Sequence, residues 1–238
     1  MGVRVAQSAR ILAVALVLAG WLPAQGAAEP GGAVVVTAGR LWRATKAAPH
    51  AIARDWKFTL PVALTTVTLI AAADRPASRR IRNFELEHDS GNLSNGGLLI
   101  VEPAEAVATV AGIERCLFCG ATLRRLAAAG TAVAYASVAG LALKRAAERS
   151  RPNAPDPAGE FWDGGGASFP SGHALASFTI AAFLAHRYPR RHWVPVMAYS
   201  IAAAVSALRF TAKRHFPSDL FFGGVVGYEI GRCAVLCQ

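Results

Sequence analysis

Three polar islands interrupt the apolar C-terminal part of the chain. They are Lys144 with Arg151-Pro152, then Pro170-Ser171-Gly172-His173, then Arg209 with His215-Phe216-Pro217-Ser218-Asp219. The residues that could do chemistry are three cations, two histidines, one carboxylate and a Ser-Gly turn. That inventory suits a phosphate ester. Guanidinium forks and an ammonium group bind non-bridging oxygens. One imidazole can attack phosphorus, and the other can protonate the leaving group.

Each island has its own local logic. Lys144 and Arg151 are seven apart, close to two helical turns, so a continuous helix would set both on one face. Pro170 and Ser171 are helix-start residues, and the exposed N–H groups of a helix start bind phosphate oxygens. Gly172 leaves room for close approach, Ser171 offers a hydroxyl, and His173 falls in the first turn. His215 and Asp219 are four apart, a contact spacing, and Pro217 sets His215 in the turn before a helix starting near Ser218 or Asp219. A carboxylate accepting from one ring nitrogen leaves the other as a nucleophile. Taken singly, each island also fits an ordinary helix end, helix cap or surface turn.

The elements that must position these residues read as helices. Apolar segments run from Phe58 to Ala73, Leu98 to Ile113, Leu126 to Leu143, Gly172 to Ala185, Trp193 to Leu208 and Asp219 to Leu236. None alternates long enough to build a sheet, so the expected fold is all-α, a bundle of about six helices with the site at one end. Residues 29 to 57 read as loop plus a short amphipathic helix carrying Trp42 and Trp56. A polar stretch begins at Asp74 and runs to Gly97. The loop from Asn153 to Phe169, with Phe161 and Trp162, reads as a lid, a lipid contact or a plain connector.

Several runs sit near the lower length limit for a membrane span. Glu102 and Glu105 argue against a span at Leu98 to Ile113. If the site ends of the helices meet on one face, Arg124-Arg125 and Arg187, Arg190 and Arg191 gather at the other. That asymmetry fits the positive-inside rule with the site facing outward. Embedding in the inner membrane, with the site toward the periplasm or outside, is therefore expected. A soluble exported bundle is the alternative.

The 238 residues suffice for one domain. They are 53% hydrophobic and 17% charged, with a formal net charge of +10 that favours acidic partners. Nucleic acid is discounted, because no binding motif accompanies the dispersed basic residues. Residues 1–28 read as a signal peptide, with Arg4 and Arg10 ahead of an apolar run and small residues at its end. An uncleaved anchor is the other reading. Cys116, Cys119, Cys233 and Cys237 permit disulfides in an exported protein, and their pairing stays open. No nearby histidine completes a metal site around Cys116 and Cys119.

The combined pattern Lys-x6-Arg-Pro, Pro-Ser-Gly-His and Arg-x5-His-x3-Asp resembles the three-part signature of the type 2 phosphatidic acid phosphatase superfamily. Bacterial acid phosphatases, lipid phosphatases and vanadium haloperoxidases share that signature. It covers Lys144 to Asp219, within a helical domain of residues 29–238. The resemblance implies that His215 is the nucleophile forming a phosphohistidine, that Asp219 orients it, and that His173 is the general acid and later the base. Lys144, Arg151 and Arg209 would hold the phosphate oxygens with Ser171 and the Gly172 amide. It also implies no metal and no cofactor, and the sequence offers no carboxylate cluster for a metal. Two positions depart from the pattern: Leu208 precedes Arg209 where serine is frequent, and Ala174 follows His173 where a hydroxyl residue is frequent.

The implied activity is a metal-independent cell-envelope phosphatase acting on a phosphate monoester or diphosphate. Embedded helices favour a phosphorylated lipid, with the membrane as partner. A soluble form favours a small phosphate ester, as in a non-specific acid phosphatase. A vanadate-dependent haloperoxidase is a further enzymatic reading, and a membrane scaffold or phospholipid-binding protein whose site has lapsed is the non-enzymatic one.

Overall fold

The computed structural model describes residues 30–81, 120–154, 159–164 and 166–236. Six helices account for most of them: α1 (Pro30–Arg54), α2 (Trp56–Ile81), α3 (Gly120–Ala147), α4 (Gly172–Arg187), α5 (Trp193–Thr211) and α6 (Pro217–Leu236). No strand occurs among the described residues, as the lack of alternation in the sequence implies. The expected signal peptide, the segment Leu98 to Ile113, and Cys116, Cys119 and Cys237 lie outside the described residues. Cys233 is disulfide-bonded.

The core centres on α4, which packs against α3, α5 and α6. Its buried side chains are mostly small or aliphatic, including Ala174, Leu175, Ile180, Ala181 and Leu184. The Ser177 and Thr179 hydroxyls are buried too, and each donates to a carbonyl of its own helix, which removes the cost of an unpaired polar group. A stripe of small residues brings α6 onto α4. A Cβ at Gly223, Gly227 or Gly231 would fall 2.7, 2.2 or 2.1 Å from the carbonyl oxygens of Ser171, Leu175 and Thr179 respectively. Only glycine at this i, i+4 spacing lets the two backbones approach so closely.

Among the described residues, three helical stretches are long and apolar enough to cross a membrane: Trp56–Ile81, Leu123–Ala147 and Trp193–Thr211. Their outer faces carry large apolar side chains, including Leu60, Leu64 and Val67 on α2, Leu141 on α3, and Val196 and Met197 on α5.

The N-terminal elements differ from the sequence expectation. Residues 29 to 57 are not loop plus a short helix: α1 runs unbroken for 25 residues. Pro30 suits a helix start, where its missing N–H costs nothing. Leu41 and Thr37 are buried, and Arg40 Nη1 donates to the Ala234 carbonyl of α6 at 3.2 Å. The polar stretch does begin at Asp74, but its first residues are helical, because α2 continues to Ile81. A π-helical turn at Leu69–Ala73 accommodates one extra residue. Thr66 and Asp74, eight apart, are thereby aligned as a regular helix aligns residues seven apart, about 20° from each other. Both are buried, while Leu60, Leu64 and Val67 point outward.

Candidate active site

The site lies at the end of the bundle where α3 and α5 finish and α4 and α6 begin. Lys144 is in the last turn of α3. That helix does not continue to Arg151, contrary to the reasoning from seven-residue spacing. It stops at Ala147, and Glu148 takes a left-handed backbone conformation with φ 43° while its N–H bonds the Lys144 carbonyl. Arg151 is carried by the irregular chain beyond. Lys144 Nζ donates to the carbonyls of Ala167 (2.8 Å) and Pro170 (2.6 Å). These bonds engage two of the three ammonium protons.

Ser171 is the N-cap of α4, and its hydroxyl accepts from the Ala174 N–H at 3.4 Å. Its own N–H donates to the Asp219 carbonyl at 3.0 Å, tying the start of α4 to that of α6. Ser171 is fully buried, whereas Gly172 and His173 in the first turn are half-buried. The Lys144 side chain lies beside Gly172, 3.9 Å from where a Cβ would be. Burial first, then the charges of Arg209, His215 and Lys144, lower the His173 pKa to about 4. Those three side chains therefore surround His173 closely enough for their charge to be felt. The chain separates them widely, and the fold gathers them.

His215 sits in the turn between α5 and α6, as Pro217 implies. It is buried, and its Nδ1 lies 2.8 Å from the Ser168 carbonyl. A carbonyl only accepts, so Nδ1 carries the proton and Nε2 keeps a lone pair. Burial lowers the His215 pKa, and Lys144 and Arg209 act in the same direction against the raising effect of Asp219. The lowered pKa leaves the ring neutral at ordinary pH.

Asp219 Oδ2 is 3.8 Å from His215 Nδ1 and accepts from Ser168 Oγ (2.5 Å) and the Phe216 N–H (2.8 Å). Oδ1 accepts from Arg149 Nη1 at 2.6 Å. Burial alone would raise the Asp219 pKa; the neighbouring His215, Arg149 and Ser168 outweigh it and hold the carboxyl below its ordinary range.

Arg149, Asp74 and Ser168 belong to this site although the sequence reading assigned them no role. Arg149 is buried and bonds Ser218 Oγ (2.7 Å), Asp219, Asp74 (2.7 Å) and the Gly159 carbonyl (3.0 Å). The rings of Phe161 and Phe216 flank its guanidinium at 4.7 and 4.2 Å. Asp74 in turn accepts from the Ser218 N–H at 3.0 Å. Two carboxylates thus share one guanidinium, and α2 is pinned to the start of α6. A further cation, Arg214, adds its charge to the field at Arg151: burial first, then Arg214, lowers the Arg151 pKa. The one available sequence signal was a carboxylate, Asp74, at the end of an apolar segment, where it needs a buried partner.

The described part of the loop before α4 is anchored rather than free. Trp162 donates through its main chain to Ala147 and through Nε1 to Ala146. Phe169 stacks on Phe222 at 4.9 Å between centroids. A Cβ at Gly166 would fall 2.1 Å from the Arg149 backbone, so the loop closes against Arg149 only with glycine there.

Comparison with known proteins places residues 125–238 under the model of the PAP2 superfamily. A stretch of 65 residues, 27% of the chain, is 35% identical to part of a lipid A 1-phosphatase from Porphyromonas gingivalis. The match spans 15% of that protein's length. Among solved structures, a transmembrane PAP2 type phosphatidylglycerolphosphate phosphatase from Bacillus subtilis aligns with a TM-score of 0.47 at 22% identity. That alignment covers 74% of this chain and 92% of the other.

Proposed function

Residues 125–238, just under half of the chain, match the model of the PAP2 superfamily, and from that likeness we propose that the chain is a member of it, a membrane-embedded phosphatase that removes phosphate from a lipid. The observation that carries this reading is the convergence of three separated islands on one end of the bundle. His215 and His173 meet there among Lys144, Arg151 and Arg209. The exposed apolar faces of α2, α3 and α5 favour a bilayer around the bundle, and hence a lipid rather than a free ester as substrate. The arginines at the far ends of α3 and α4 favour the cytoplasmic side for that end and the outer face for the site.

In the first step the His215 Nε2 lone pair attacks phosphorus. The bond to the leaving-group oxygen breaks, and His173 gives that oxygen its proton. The Ser168 carbonyl keeps Nδ1 protonated as positive charge develops on the ring, and Asp219 stabilises that charge from 3.8 Å. In the second step His173 takes a proton from water, the resulting hydroxide attacks phosphorus, and the P–N bond breaks to release phosphate. Lys144, Arg151, Arg209 and the Gly172 N–H stabilise the charge on the phosphoryl oxygens. A bound phosphate also offsets the cations around His173, so substrate binding raises its pKa toward the range a general acid needs.

The test compares purified wild type with His215→Ala, with EDTA present, on phosphatidic acid, undecaprenyl diphosphate and p-nitrophenyl phosphate. Release from a lipid by wild type alone supports the proposal. Cleavage of only the soluble ester would move the assignment to a non-specific phosphatase. Activity surviving in His215→Ala would remove the histidine mechanism.

A further inference from the structure

Asp74 stands outside all three islands, 75 positions from Arg149, yet it is only 1% exposed at the site end of the bundle. The π-helical turn at Leu69–Ala73 leads directly into it. In a regular helix Asp74 would stand about 80° from the buried face marked by Thr66, and the extra residue cuts that offset to about 20°. Single π-turns inside helices occur frequently at functional sites. Taking a carboxylate out of water is costly, so its inward position depends on the bonds it accepts.

Those bonds do more than hold α2. Asp74 Oδ2 accepts from Arg149 Nη2 at 2.7 Å and from Ser218 Oγ at 2.5 Å, and Oδ1 accepts from the Ser218 N–H at 3.0 Å. A carboxylate only accepts, so the single hydroxyl proton of Ser218 points to Asp74. The Ser218 oxygen is left to accept from Arg149 Nη1 at 2.7 Å. The other proton of Nη1 goes to Asp219 Oδ1 at 2.6 Å. With Oδ1 fixed there, Asp219 Oδ2 faces Ser168 Oγ, the Phe216 N–H and His215 Nδ1. A tether between α2 and α6 would need only the Ser218 bonds. The bond to Arg149 reaches the donor that aims Asp219.

We propose that Asp74 is a positioning residue of the active site: through Arg149 and Ser218 it holds the Asp219 carboxylate in its orientation toward His215. The inference rests on the phosphatase reading of that site. It makes α2, whose outer face is apolar, a part of the catalytic framework.

The experiment uses the full chain in detergent. Asp74→Asn keeps the shape of the side chain but offers one accepting oxygen where the carboxylate has two. Either Arg149 or the Ser218 N–H then meets an N–H, and the aim of Asp219 is lost. On the best lipid substrate kcat should fall about tenfold with KM nearly unchanged, as when a catalytic group is slightly misplaced. Ile81→Ala empties buried volume on the same helix, and should lower stability without that loss of kcat. A second readout needs no turnover. In protein made with isotope-labelled histidine, the His215 ring resonances are assigned by their absence from His215→Ala. They should shift in Asp74→Asn and stay in place in Ile81→Ala. Gel filtration verifies that the variants are folded. If Asp74→Asn does not fold, Ser218→Ala, which removes the bridging hydroxyl and no charge, should show the same loss of kcat in lesser degree. An unchanged kcat together with unmoved His215 resonances overturns the proposal, as does an equal response in Ile81→Ala. Wild type inactive on every phosphate ester would remove the phosphatase reading instead, and the resonances would still decide whether Asp74 positions the pair.

Discussion

His215 Nδ1 lies 2.8 Å from the main-chain oxygen of Ser168 and 3.8 Å from the nearer carboxylate oxygen of Asp219. The ring's tautomer is therefore held by a backbone group that no side-chain substitution removes. Asp219 acts through its charge and through the contacts it makes to Ser168, Phe216 and Arg149.

Asp219→Asn should keep the nucleophile's tautomer and lose the charge that stabilises its cationic form. Under the proposed mechanism kcat falls about a hundredfold, in the range seen when one transition-state electrostatic partner is removed. KM changes much less, and His215→Ala falls to background. Steady-state kinetics on the best lipid substrate decide it. A loss in Asp219→Asn as complete as in His215→Ala would mean that Asp219, and not the Ser168 carbonyl, orients the ring.

Arg149→Met leaves two buried carboxylates without their shared partner. Breaking a buried pair by removing one member costs about 3–5 kcal/mol, so the variant should unfold at markedly lower denaturant concentration. Asp74→Asn is milder, because Arg149 keeps Asp219, Ser218 and the Gly159 carbonyl. A double-mutant cycle on Asp74 and Arg149, read by denaturation in detergent, should give a coupling of about 1 kcal/mol or more. Additive losses would mean that the pair is incidental.

The three islands were legible because chemistry-bearing residue types interrupt apolar sequence, and because Pro217 and the Pro170-Ser171 pair mark helix starts by local sterics and capping. The network beneath them was not. Asp74 and Arg149 are 75 positions apart, and whether either is buried depends on α2 closing against α6. Locally, Asp74 begins a charged stretch and Arg149 is one of several basic residues after α3. The helical course of residues 30–54 was equally hidden, because its fixed contacts, at Leu41 and between Arg40 and Ala234, come from distant elements. The one-face argument for Lys144 and Arg151 failed at Glu148, whose positive φ ends the helix without glycine or proline to announce it.

The pKa of His173 predicts a pH dependence for both stability and ligand binding. Its folded value of about 4 lies below the ordinary 6.5. Between those values the unfolded chain binds more protons, so this contribution to stability is complete above pH 6.5 and is lost as pH falls toward 4. A phosphate anion in the site counters Arg209, Lys144 and the burial penalty, raising the value. Binding should therefore take up protons within that window. Calorimetric titration with inorganic phosphate at pH 5.5, in two buffers of different ionisation enthalpy, should show uptake approaching one proton. His173→Asn should abolish it. Equal heats in both buffers for wild type would exclude proton-coupled binding.

Gly227 and Gly130 form a matched pair of glycine tests. A Cβ at Gly227 would fall 2.2 Å from the Leu175 carbonyl oxygen and 3.1 Å from the Thr179 nitrogen. Those are backbone atoms of α4 and cannot turn aside, so Gly227→Ala must push α6 away from α4. The displacement separates His215 and Asp219 from the Ser171 turn. It should lower stability by about 1–3 kcal/mol, as overpacking does, and reduce kcat about a hundredfold through misplacement of the catalytic groups. Gly130 lies inside α3 with no heavy atom within 4 Å of its added Cβ. Gly130→Ala should raise stability by up to about 1 kcal/mol, because alanine is the better helix former, with unchanged turnover. Thermal melting and initial rates on both variants decide the matter. Similar behaviour of the two would show that the approach of α6 to α4 does not set the geometry of the site.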